Sequence, residues 1–218
     1  QNTLETNIQE IQNKDKVDVI IANPPFGGKE KASIQENFPI KTGETAYLFL
    51  QHFIKKLKNG GRCGVVIKNT FLNNPDGKLI RKQLLNDCNL FAILDMPKGT
   101  FVGALGIPTV VLFFEKGSST KKIWYYQPNI LRSLGKTNPL NENDLIDFVK
   151  IYKSPKETNE SWFVDVLNID KDKYDLKVNN PNKTNNNNSK SKPREIMVEI
   201  EDLNSHLETS LKLIKESL

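Results

Sequence analysis

The chain has 218 residues, 31 Lys and Arg against 26 Asp and Glu, a net charge of +5 and 37% hydrophobic residues. That length holds one ordinary domain and an appendage, and the apolar fraction leaves a polar segment outside the core. The charge favours a polyanionic partner only mildly, and no stretch has the length and apolarity of a membrane span or the pattern of a signal peptide, so no membrane partner is expected. The chain opens at Gln1 without a methionine and is expected to be a piece of something longer. Cys63 and Cys88 stand without a partner motif, as expected of thiols in a reducing cytoplasm. His52 and His206 lie at no metal-ligand spacing, so no metal is expected.

Leu4, Ile8 and Ile11 have a helix-like spacing too short to define an element. The β-branched run Val17-Asp18-Val19-Ile20-Ile21-Ala22 then stops at Asn23-Pro24-Pro25-Phe26. Proline cannot donate to a sheet ladder and restricts the residue before it, so this reads as a buried strand released into a rigid turn. Ligands of open α/β sheets bind outside the carboxyl ends of strands, where this turn leaves an amide and an aromatic ring. An amide can grip the edge of a planar amine while a neighbouring ring stacks on its face, so the chemistry suggested is recognition of a planar amino group. Residues 27–42 follow as a long polar loop bearing Lys29, Lys31 and Lys41. Two roles stand open for it: contact with a nucleic-acid backbone or substrate, or a merely solvated loop.

Residues 44–58 have the broad apolar face of a helix, stopped by Asn59-Gly60-Gly61, and His52 within it reads as an ordinary helix residue. Cys63–Ile67 is a second strand and residues 77–87 a second helix; Phe91–Asp95 and Thr109–Phe114 are further strands. Strand, helix, strand, helix, strand indicates a parallel α/β sheet, half of a doubly wound domain. The last two strands, with no helix between them, are expected as an antiparallel pair at the sheet edge. No strand, glycine turn and ribose-binding acid precede Val17, so a cofactor-binding half is expected upstream. Lys122–Tyr126 reads as a strand whose aromatics are packed rather than base-stacking, and residues 143–152 as a helix capped by Asn141 or Asn143. Residues 179–192 are almost wholly Asn, Lys, Ser, Thr and Pro, a linker that buries no core.

Beyond it, Ile196, Ile200, Leu203, Leu207, Leu211, Ile214 and Leu218 recur at steps of four and three, a helical seam that another helix must cover. The cover can come from another subunit or from the same chain. The expected organisation is a partial catalytic domain over 1–134, an α/β extension over 135–178, a linker over 179–193 and an amphipathic helix over 194–218.

Asn23-Pro24-Pro25-Phe26 after a hydrophobic strand resembles the catalytic motif of S-adenosylmethionine-dependent amino methyltransferases, best known in adenine-N6 DNA methyltransferases. Similar motifs occur in glutamine-N5 protein and guanine-N2 ribosomal RNA methyltransferases. From Val17 to Lys183 the segment order resembles the C-terminal half of type I restriction-modification M subunits. The resemblance rests on the Asn-Pro-Pro-Phe strand, Leu57-Lys58-Asn59-Gly60-Gly61-Arg62, Val65-Val66-Ile67-Lys68-Asn69 and Met96-Pro97-Lys98-Gly99-Thr100-Phe101, then on residues 106–114 and Tyr174-Asp175-Leu176. Two departures stand out: Ala104-Leu105 replace a common threonine, and the glycine-rich cofactor motif is missing.

The resemblance implies methyl transfer from S-adenosylmethionine to a flipped adenine of double-stranded DNA. It makes Asn23, Pro24, Pro25 and Phe26 the catalytic residues, with Asn23 also beside the cofactor. The Asn23 amide oxygen and Pro24 carbonyl would hold the adenine amine, and Phe26 and Phe101 would stack on the base from opposite faces. The same family implies a specificity (S) subunit gripped by the C-terminal helix and a restriction (R) subunit in the full complex. The alternatives are an RNA or protein methyltransferase and a non-catalytic assembly module; the isolated fragment is expected to be inactive.

Overall fold

The computed structural model describes residues 2–101 and 106–182, which fall within one compact unit ending at Asn182. Its strands are β1 (Val17–Ala22), β2 (Leu57–Lys68), β3 (Cys88–Met96), β4 (Thr109–Lys116), β5 (Lys122–Tyr126) and β6 (Ser161–Asp165). Its α-helices are α1 (Ala32–Gln35), α2 (Thr45–Lys56), α3 (Lys78–Asp87) and α4 (Glu142–Tyr152). The strands form a single sheet in the order β1-β2-β4-β3-β5-β6. β1 pairs with β2 and β3 with β5 in parallel, whereas β4 is antiparallel to both of its neighbours and β6 to β5. The α/β class is borne out, and β6, from the expected extension, joins the same sheet. The 194–218 seam and the linker beyond Asn182 lie outside the described residues.

Three expectations are corrected. The β3–β4 pair is antiparallel but interior, because β4 inserts between β2 and β3. Its run Thr109-Val110-Val111-Leu112-Phe113-Phe114 is apolar on both faces, the pattern of a strand covered on two sides; at an edge it would expose unpaired backbone and apolar side chains together. β1, expected to be buried, is the edge strand, with Val19 55% and Ile21 89% exposed. Finally, Asn59-Gly60-Gly61 does not separate helix from strand: α2 ends at Lys56 and β2 begins at once. The glycines instead make an irregularity inside β2, where Val17 pairs with Leu57 but Val19 with Arg62. Gly60 has φ +78°, a conformation that glycine adopts without strain.

The two faces carry separate cores. On one, Ile54 of α2 and Leu84 of α3 pack with Leu57, Ile67, Leu112 and Phe114 of the sheet. On the other, Phe148 of α4 packs with Leu94, Met96, Trp124 and Tyr126. Trp124 is 1% exposed and stacks on Phe148 at 5.5 Å, so the aromatic strand is packed, as expected. Asn141 caps α4, accepting from Asn143 N at 3.0 Å while Asp144 accepts from Asn141 N. Cys63 and Cys88 are free and buried, and burial pushes both thiols up to about 12.

Arg81 of α3 is 1% exposed, and its guanidinium donates only to backbone carbonyls: Nε to Tyr174 O at 2.6 Å, Nη1 to Phe71 O and Asn74 O, and Nη2 to Lys173 O. The chain at Tyr174-Asp175-Leu176 is further held by Leu176 N donating to Leu72 O and Tyr125 Oη donating to Leu176 O, both at 2.8 Å. The Tyr-x-Leu element is thus an anchor that returns the chain under the exit of β2. Arg81→Met would take a donor from four carbonyls, of which Asn74 O keeps Gly77 N, and the other three would each cost about 1–3 kcal/mol where water cannot replace it. Urea unfolding should therefore show a loss of about 3 kcal/mol or more; a loss below about 1 kcal/mol would mean that water substitutes for the guanidinium.

Candidate active site at the carboxyl edge of the sheet

β1, β2, β3 and β5 all run the same way, so their carboxyl ends meet at one edge, joined by the start of β4. Asn23 leaves the end of β1 exposed, Pro24 is buried beneath the turn, Pro25 is exposed and Phe26 is half-buried. Two unbonded proline nitrogens at a strand end remove ladder donors where pairing stops, which is why the turn sits at the rim of the sheet. Phe101, far along the chain on the segment after β3, meets Phe26 with ring centroids 5.5 Å apart at 71°. The structure thus brings together the two rings singled out in the sequence. They touch edge to face, however, whereas a base between two faces needs planes about 7 Å apart. In this conformation the two rings are in contact and leave no room for a base between their faces.

The chain leaving Phe26 is guided by two glycines. Gly27 has φ +78° and passes directly over Lys68 at the end of β2, where a Cβ would stand 3.4 Å from Lys68 Nζ. Gly28 lies on the start of α2, where a Cβ would meet Thr45 Oγ1 at 2.6 Å. Thr45 N donates to Gly28 O at 3.0 Å and Glu30 N to Gly43 O at 2.9 Å, so the two ends of loop 27–44 are tied together. Within the loop Phe38 is 3% exposed against Leu4, Ile8 and Leu48, and Gln51 brackets the Ile40 backbone with both ends of its amide. This is a packed loop of the Ω type rather than a merely solvated one. The N-terminal segment of Leu4 and Ile8, whose spacing is too short to define an element, consists of 3₁₀ turns that serve as its backing. Lys29 and Lys31 remain exposed, and Lys41 pairs with Glu36.

A second set of polar groups occupies the same edge. Lys68 Nζ donates to Glu44 Oε1 at 3.1 Å, with side chains 20% and 25% exposed. Asp95, near the end of β3, accepts from Gln127 Nε2 at 2.9 Å and, at the outer limit, from Asn69 Nδ2 at 3.5 Å. Asn69 N donates to Pro108 O at 2.8 Å, tying the exit of β2 to the approach to β4. Sequence reasoning treated Lys68, Asn69 and Asp95 only as strand residues and passed over Gln127. The signal was nonetheless present, because each is a polar residue at the carboxyl end of an apolar strand. His52 lies elsewhere, lining a cavity with Glu10, Asp15 and Lys56; burial, then the Lys56 charge, lowers its pKa and holds it neutral. Among the described residues no group of three or more His, Cys, Asp and Glu side chains could hold a metal ion, and no helix is long and apolar enough to cross a membrane.

The sheet and its carboxyl-edge turn have the architecture of S-adenosylmethionine-dependent methyltransferases. A modification subunit of a putative type I restriction enzyme from Vibrio vulnificus YJ016 superposes with TM-score 0.78 at 32% identity, over 84% of this chain and 42% of that one. A chain from a structural study of complex assembly and conformational transition of the type I R-M system gives 0.77 at 32% identity, over 99% and 47%. In sequence, the methylase subunit of the type I restriction enzyme EcoEI from Escherichia coli is 37% identical over 187 residues, 77% of this chain and 37% of that subunit. That of EcoKI from E. coli K12 is 34% identical over 152 residues, 65% and 28%. The chain belongs to the N-6 DNA Methylase family, whose family model matches residues 1–190. The resemblance read from the sequence is thereby borne out, and the chain spans about a third of the length of these curated relatives.

Gly28→Ala would force a methyl group against Thr45 Oγ1 and should lower stability in urea by about 1–3 kcal/mol, with partial recovery in a Thr45→Ala background that removes the clashing oxygen. An unchanged midpoint would show that the Asn23 turn does not rest on α2.

Proposed function

We propose that this chain carries the catalytic turn of a type I modification subunit, which methylates N6 of a flipped adenine in double-stranded DNA. The observation that carries it is the exposed Asn23 amide at the carboxyl end of β1, within a family match that spans the turn. Adenine N6 is a poor nucleophile because its lone pair is delocalised into the ring. The Asn23 amide oxygen and Pro24 carbonyl would accept its two N–H bonds, pulling the nitrogen toward tetrahedral geometry and aiming the lone pair. Bound S-adenosylmethionine would supply the electrophilic methyl group, beside Asn23. Formation of the N6–methyl bond with cleavage of the S–methyl bond would move the positive charge from sulfur to N6, which would then shed one proton to restore the amine; a pocket that limits water would favour this transfer of charge between bound groups. Phe26 would stack on the base, returning about 1–3 kcal/mol toward the cost of flipping, with Phe101 rotating to admit it.

Val17, Val19 and Ile21 alternate along β1 as an exposed apolar stripe on an open strand edge, and we assign that edge to the remaining, cofactor-binding part of the subunit. The seam from Ile196 to Leu218 supports docking on a specificity subunit, and a restriction subunit would complete the assembly. Exposed Lys29 and Lys31 beside the turn suit the DNA backbone, and the free buried thiols Cys63 and Cys88 suit the cytoplasm. Ribosomal RNA and protein methylation find no support among the relatives described above.

In the full-length subunit with its specificity partner, Asn23→Ala should reduce labelled methyl transfer to adenine by more than about a hundredfold while DNA affinity stays within about twofold. Retained turnover would remove Asn23 from the chemistry. Deletion of residues 194–218 should release the specificity subunit on size exclusion, and an intact complex would end that assignment.

A further inference from the structure

We propose that Lys68 contacts the substrate, donating a hydrogen bond from its ammonium to a ring nitrogen of the flipped adenine; this rests on the adenine-methylation function above. Ala22 pairs with Val65, so the chain leaving β1 through Asn23 runs alongside the last residues of β2 toward Lys68. Gly27, the residue after Phe26, lies over Lys68 Nζ and carries no side chain to cover it. A base stacked on Phe26 therefore has this ammonium near its rim. The side chain is held rather than free: Glu44, next to the first residue of α2, takes one of its three N–H bonds, and Lys68 keeps a fifth of its surface exposed.

The electrostatics decide what it binds. An unpaired lysine at this edge would suit a phosphate, but Glu44 at 3.1 Å cancels the charge and would repel a second anion. A neutral acceptor suffers no such repulsion, and the ring nitrogens of adenine are neutral acceptors. A partly exposed ion pair of this kind gains little for folding once desolvation is counted, so its contribution to the fold does not compete with a role in the site. Pro24 has no N–H to donate and the Asn23 amide oxygen is assigned to the N6 amine, so Lys68 adds a donor beside those acceptors. Lys68 would thus separate adenine, with its ring acceptors, from bases that present a donor at that position.

The test uses the full-length subunit with its specificity partner and duplexes carrying adenine, 1-deaza-, 3-deaza- or 7-deazaadenine at the target. Wild type should lose about 10- to 100-fold in kcat/KM with one analogue beyond the other two. Lys68→Met should lose a similar factor on adenine and nothing further on that analogue, with an unchanged thermal midpoint. Independent, multiplying losses for every analogue would overturn the contact, as would a wild type equally tolerant of all three. A loss that tracks methylphosphonate substitution beside the target would give Lys68 to the backbone and overturn it too. Failure of the wild-type complex to methylate adenine at all would instead overturn the function on which it rests.

Discussion

A guanidinium that cannot leave its charge unsatisfied governs how this fold closes. Arg81 is buried without a carboxylate in hydrogen-bonding contact, so its donors must find backbone carbonyls, and they find them in two places distant in sequence: Phe71 and Asn74 after β2, Lys173 and Tyr174 near the end of the described chain. A buried cation half-served would cost several kcal/mol, so the two segments are held where it needs them. The loop it grips begins at Asn69, directly after Lys68, so the position of the β2 exit at the active edge is set from the opposite end of that loop. Leu176 and Tyr125 complete the clamp and connect it to the sheet.

The active edge follows from strand direction. With four strands running the same way and β4 entering against them, five strand termini collect at one rim, and the polar groups there are braced in pairs. Asp95 receives Gln127 and Asn69, Glu44 receives Lys68, and Gly28 receives Thr45. The Asn23–Phe26 turn itself has few bonds of its own, because its prolines donate none. Its rigidity comes from proline geometry on one side and from the glycine passage onto α2 on the other, with loop 27–44 packed behind. Such an arrangement keeps the Asn23 amide exposed yet fixed, as the proposed methyl transfer would require.

Phe26 and Phe101 show the same edge in its closed form. Each ring covers the other, which keeps two aromatic surfaces from water when no base lies between them. Under the proposed function, admission of a base would exchange that contact for stacking and return part of the cost of opening.

The sequence by itself determined where β1 to β5 lie, since each holds a short apolar run, and it marked Asn23–Phe26, whose prolines act through bonds local to the chain; β6, with only Trp162, Phe163 and Val164 between polar residues, did not show as a strand. It also made Trp124 a packed residue, because a strand apolar on both faces has nowhere else to put an indole. Only the tertiary structure decided that β4 enters between β2 and β3, that β1 is an edge, that Phe26 meets Phe101, and that Lys68 finds Glu44 and Arg81 finds Tyr174. Those are pairings between residues far apart in the chain. Apolar periodicity says which face a residue presents, but partner choice depends on strand order and on the satisfaction of buried donors and acceptors, which exist only once the sheet is assembled.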